Sequence, residues 1–186
     1  MMGCYDFCGH YEWTFDWMER VGGRALVRAY WSEAIGRDSQ RHARGLIQRE
    51  GFAGMAKYWG QTLAEESPER GYHFAARPGV FRIDMVDCPS KGFLLRNGLR
   101  NYADYCDHCL GWIGPMMRDA GFVIDHEHNH AGQCWWEMRA ADASGGHSAP
   151  GEIAGANDVR LLPHWQPPGA RLDRYAKATD PDAKLD

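Results

Sequence analysis

Two stretches of this 186-residue chain concentrate side chains able to do chemistry. One is Tyr105-Cys106-Asp107-His108-Cys109. The other is His126-Glu127-His128-Asn129-His130, with Cys134 and Glu137 close behind. A cysteine thiolate is a nucleophile and an imidazole titrates near neutrality, so the two together suit covalent and acid–base catalysis. The second stretch formally matches His-Glu-x-x-His, the zinc-protease pattern, which works only on a helix, where both imidazoles share a face. Phe122-Val123-Ile124 before it and Gly132 after it favour a strand instead. On a strand His126, His128 and His130 are two apart and project from one face, with Glu127 and Asn129 on the other. Imidazoles so placed supply two metal ligands, rarely three. A polar strand on a solvated face is the plainer reading of the same residues.

Cys106 and Cys109 form a Cys-x-x-Cys. That motif is redox-active when it caps a helix after a strand, because the helix dipole favours the thiolate. The apolar spacing of Leu99, Tyr102, Cys106, Cys109 and Ile113 predicts one helix from about Leu94 to Met117, with the motif inside it. That placement argues against the redox reading. It leaves two zinc ligands completed by His108 or the His strand, or two small residues facing the core. Consecutive helix residues diverge by ~100°, so Cys106, Asp107 and His108 are not expected to share one target. Asp104 stands one turn from His108. Cys4 and Cys8, followed by His10, are a second ligand cluster. There is no Gly-x-Ser-x-Gly, no phosphate loop and no Gly-x-Gly-x-x-Gly, which removes the common hydrolase, nucleotide and dinucleotide readings.

The elements that must position these groups fall into three regions. Trp13, Trp17, Val21, Leu26, Tyr30 and Ile35 recur at helical steps, with a break at Gly22-Gly23. Further helices are expected at about 38–50, with Ala43, Leu46 and Ile47 inward, and at about 54–66. Strands are expected at 72–76 and 80–86 around Arg77-Pro78-Gly79, then from Phe122 and from Gln133 to Met138 across a turn at Ala131-Gly132. The fold class is therefore α+β: an N-terminal helical layer on a small, mainly antiparallel sheet, with a later helix bearing Cys and His. One domain is expected over 1–139. Residues 140–186 read as an extended or partly disordered tail, of which Val159–Trp165 could dock on the body or on a second subunit.

Composition sets outer bounds. Hydrophobic residues are 44% and charged residues 25%, enough for a packed core at this length. Net charge is −4 and the pI about 6.1, which argues against nucleic acid or an anionic membrane as partner. Six cysteines are too sparse for a disulfide scaffold. With no leader pattern and no apolar run near the ~18 residues of a membrane span, a reducing cytoplasmic setting is the expectation.

The order of motifs resembles the L-2-amino-thiazoline-4-carboxylic acid hydrolase family. A helical N-terminal half precedes a strand ending in Cys88-Pro89. Then come Tyr105-Cys106-Asp107-His108, a strand, Gly132, and a strand with Cys134 and an aromatic. The likeness covers about residues 20–139. It implies ring-opening hydrolysis of a cyclic amidine or related small heterocycle. Cys106, His108 and His128 would then be catalytic, with either the thiolate or a hydroxide on a divalent zinc, iron or manganese ion as nucleophile. His126, His128 and His130 would hold the metal. Arg96 or Arg100 (Arg82 also being a candidate) would take a substrate carboxylate, and Trp112 and Trp135, with Trp136, would line the pocket. Two other classes use the same residues: a non-catalytic metal- or ligand-binding sensor, and a subunit of a larger enzyme. The sequence leaves the oligomeric state open, with the aromatic content and the tail compatible with a homodimer.

Overall fold

A computed structural model describes residues 4–67, 71–99, 102–129, 131–143, 145–163 and 165. Helix α1 (Cys4–Ala29) turns at Gly23, whose φ of 70° lies in the left-handed region that glycine tolerates. The expected break is therefore real, but the buried face differs. Cys8, Glu12, Phe15 and Val27 point inward, while Trp13, Trp17 and Val21 are exposed. A π-helical segment (Tyr30–Ser39) follows, then α2 (Arg41–Glu50) and α3 (Phe52–Glu66). Ala43 and Ile47 are buried, as the spacing predicted.

The sheet is four-stranded and antiparallel, in the order β1-β2-β4-β3. Strands β1 (Tyr72–Arg77) and β2 (Val80–Met85) form a hairpin, as do β3 (Phe122–His128) and β4 (Cys134–Ala140). The α+β class is thus observed. One face of the sheet carries Phe81, Ile83, Met85, Trp136 and Met138, which join Ile47, Met55, Trp59 and Leu63 of α2 and α3 in the main core. A second cluster packs Phe15, Trp31 and Ile35 around Leu94, Tyr102 and Tyr105. Among the described residues no helix is long and apolar enough to cross a membrane.

The single helix expected over 94–117 is two helices. α4 (Lys91–Arg96) ends at Asn97-Gly98, with Gly98 at φ 62°, and α5 (Asp107–Asp119) starts afresh with Cys106 as its N-cap. Asn-Gly is a helix stop, because a residue just past the helix end adopts the left-handed conformation most easily as glycine. Pro115 lies inside α5 without ending it.

α5 is held close to the N-terminal layer. A Cβ on Gly111 would lie 2.7 Å from Trp31 Cε3 and 3.0 Å from its Cβ. Trp31 is buried and cannot swing away. Gly111→Ala is therefore expected to cost about 1–3 kcal/mol through overpacking. A urea titration checks this: the midpoint falls while the slope is unchanged.

Beyond β4, residues 148–160 lie across the far face of the sheet. Val159 is fully buried and its N–H bonds Asp84 Oδ1 at 3.0 Å. Arg82, from the centre of β2, is also fully buried. It pairs in bidentate fashion with Asp84 (2.9 and 2.8 Å), and reaches Glu137 Oε2 (3.1 Å) and Asp158 Oδ1 (3.0 Å).

Candidate active site

The geometry of the site follows from one tight turn. α5 ends at Asp119, Gly121 takes a φ of 82°, and β3 runs back antiparallel to the helix. The end of β3 therefore returns to the start of α5. That brings His128, the last residue of β3, to Asp107, the first residue of α5. His128 Nε2 stands 2.9 Å from Asp107 Oδ1, and Cys106 lies close enough to the same imidazole to favour its charged form. Burial works against charge on His128, but the bond to Asp107 and the nearby Cys106 outweigh it and raise its pKa to about 9. A charged imidazole and a helix N-terminus both favour a thiolate at Cys106.

This corner lines a small, partly open cavity of about 30 Å³. Its walls include Cys88, Cys106, Cys109 and Cys134, with His108, His126, Lys91 and Trp136. The four sulfurs are not equivalent. Burial pushes the Cys88 thiol up to about 11 and those of Cys109 and Cys134 well above the ordinary thiol range. Cys134 also accepts the Trp136 indole N–H at 3.2 Å. Cys106 is the cavity sulfur with a charged imidazole beside it.

The other two imidazoles are neutral. His126 stacks on Trp136, with centroids 3.7 Å apart, and its Nδ1 lies 2.7 Å from the Trp135 carbonyl. Burial lowers its pKa to about 3, so Nδ1 carries the proton. Its buried Nε2 is then an acceptor with no hydrogen-bond partner among the described residues. His108 is alike. Its Nδ1 lies 2.5 Å from the Tyr105 carbonyl, burial lowers its pKa to about 4, and its Nε2 is 3.6 Å from Cys109 Sγ.

Of the expected site residues that the structure describes, Cys106, His108, His126, His128 and Trp136 meet at this cavity. His130 and Arg100 lie outside the described residues. Trp135 is on the opposite face, its ring under Arg82 (4.6 Å) and Arg160 (4.8 Å), because side chains alternate along β4. Its neighbour Trp136 is the cavity wall. Trp112 lines a separate cavity with Tyr11, Tyr58 and Glu66, which shares His108 and Ser90 with the first. Arg96 pairs with Asp87 at 2.5 Å in a groove of its own. Arg82 is consumed by three carboxylates on the far face. The buried Lys91 lines the cavity instead. Asp104 does not reach His108; it pairs with Arg24 at 3.2 Å.

Asp107 was missed because a helix running through 94–117 turns it away from Cys106 and His128. Once Asn97-Gly98 is read as a stop, Cys106 becomes a cap and Asp107 a first-turn acid, the place the dipole favours. As to metals, among the described residues no three His, Cys, Asp or Glu side chains are placed to hold one ion. His126 and His128 are adjacent, with ring centroids 5.4 Å apart. Comparison with protein-family models, curated proteins and solved structures finds no match to this chain.

Proposed function

We propose that the protein is a thiol-dependent hydrolase that opens small cyclic amidine-like substrates at a C–N bond. The observation that carries this is Cys106 and His128 together on the wall of a small cavity, with His128 Nε2 held 2.9 Å from Asp107 Oδ1: a nucleophile, an acid–base group beside it and a carboxylate that orients the imidazole. The Cys106 thiolate adds to the amidine carbon, and His128 gives its proton to the ring nitrogen. The C–N bond breaks, leaving a thioimidate on Cys106. Water, deprotonated by His128, adds to that carbon and expels the sulfur as thiolate. The net change is amidine plus water giving amide plus amine, and His128 ends protonated as it began. Lys91 suits an anionic substituent, and Trp136 a flat ring.

A second reading rests on His126. Its Nδ1 is anchored on a backbone carbonyl and its Nε2 lone pair is buried without a partner among the described residues, the usual disposition of a metal-ligating imidazole. A divalent ion there would make the protein a metal-assisted hydrolase or a non-catalytic sensor. Elemental analysis of the purified protein separates these from the thiol reading.

The direct test is incubation with L-2-amino-thiazoline-4-carboxylic acid and with simple cyclic amidines, followed by mass spectrometry of product and protein. The expected result is a ring-opened product together with an adduct at Cys106 on rapid quenching. Turnover that persists in Cys106→Ser would remove the proposed nucleophile.

A further inference from the structure

The reading above uses one sulfur of the Cys106-x-x-Cys109 pair. We infer that the two form a peroxide-oxidised dithiol, with Cys106 as the attacking sulfur and Cys109 as the resolving one. This shares the Cys106–His128 pair with the proposed hydrolysis but not its substrate.

Four features carry the inference. Cys106 caps α5 and Cys109 lies in its first turn, so the motif occupies the helix start rather than its middle. Residues three apart on a helix lie side by side, with Cβ atoms about 5–6 Å apart, a small rotamer or backbone adjustment from disulfide distance. Both sulfurs line the same cavity. Each also has its own imidazole: His128 shares the cavity wall with Cys106, and His108 Nε2 is 3.6 Å from Cys109 Sγ. The two halves of disulfide formation need those two different partners.

In the first half, the Cys106 thiolate attacks the distal oxygen of a hydroperoxide. The O–O bond breaks, sulfur is oxidised by two electrons to the sulfenic acid, and His128 protonates the departing alkoxide to an alcohol. In the second half, Cys109 gives its proton to His108 Nε2 and attacks Cys106 Sγ. The S–O bond breaks, and the hydroxide takes the proton from His108 and leaves as water. The product is a disulfide, which a dithiol reductant returns to two thiols. A protonated, buried Cys109 is a poor first nucleophile, which fixes the order of the two roles.

The test is one equivalent of hydrogen peroxide on the reduced full chain, then alkylation and peptide mapping. The expected result is loss of two thiols, with Cys106 and Cys109 linked. In Cys109→Ser, dimedone is expected to trap a sulfenic acid at Cys106. A bridge from Cys106 to Cys88 or Cys134, or a sulfenic acid that persists at Cys106 in the unaltered chain, overturns the proposal. Because the readout is thiol chemistry alone, linkage without any amidine hydrolysis would sustain this inference and refute only the hydrolase reading.

Discussion

Near neutral pH, iodoacetamide is expected to label Cys106 at least about tenfold faster than Cys88, Cys109 or Cys134. The contrast follows from the environments of the four sulfurs. Burial disfavours the thiolate at the other three, whereas Cys106 has a charged imidazole beside it. The pH dependence follows His128. Its folded pKa of about 9 is raised from 6.5, so the ring is charged below that value and the ion pair weakens as the pH rises through it. Labelling of Cys106 should therefore stay fast toward mildly acidic pH, where an ordinary thiol slows about tenfold per unit. His128→Ala should abolish that advantage, and Asp107→Asn should reduce it. In turnover, Cys106→Ser is expected to lower kcat/KM on the order of 10⁴-fold, and His128→Ala about 10²–10⁴-fold. Equal labelling rates at all four cysteines would refute the assignment of Cys106.

The sequence carried the material of this site but not its wiring. Alternation along β3 placed His126 and His128 on one face, because side chains of a strand alternate whatever it pairs with. The wall opposite them needed the register. Only once His126 faces Trp136 and His128 faces Cys134 across β3 and β4 does it follow that Trp136 lines the cavity and Trp135 does not. Asn97-Gly98 was visible as a helix stop but was outweighed by apolar spacing on both sides of it, and that one decision moved Cys106 from a helix interior to a cap. The far-face network was the least legible. Arg82 and Asp84 look like the polar positions of a half-exposed strand. Their burial depends on residues 148–160, whose small residues and proline read as a tail.

That network is where the largest loss of stability is expected. Arg82→Met removes the guanidinium from among Asp84, Glu137 and Asp158 and leaves buried carboxylates facing one another, at a cost of about 3–5 kcal/mol. The pH dependence distinguishes this from simple loss of packing. Burial works against charge on Asp158, but the bonds from Arg160, the amides of Gly151 and Arg160, and the nearby Arg82 outweigh it and lower its pKa to about 2 from 3.8. A carboxylate lowered in the folded state stabilises the fold above its unfolded pKa and ceases to do so as the pH falls through the folded one. The unaltered protein should therefore lose stability between about pH 4 and pH 2. Arg82→Met should instead close part of its deficit as acid neutralises the carboxylates it leaves unpaired. Urea midpoints across that range read both curves, and a midpoint for Arg82→Met equal to that of the unaltered chain at neutral pH would sink the argument. The consequence reaches the cavity side of the sheet. Trp135 lies under Arg82 and Arg160 on the far face, its indole N–H bonds Glu127 Oε2 at 2.9 Å, and its carbonyl holds His126 Nδ1. The residues that clamp 148–160 to the sheet thus also fix the strand from which His126 and His128 project. A variant that frees this segment should lose the fast labelling of Cys106 before it loses the helical signal.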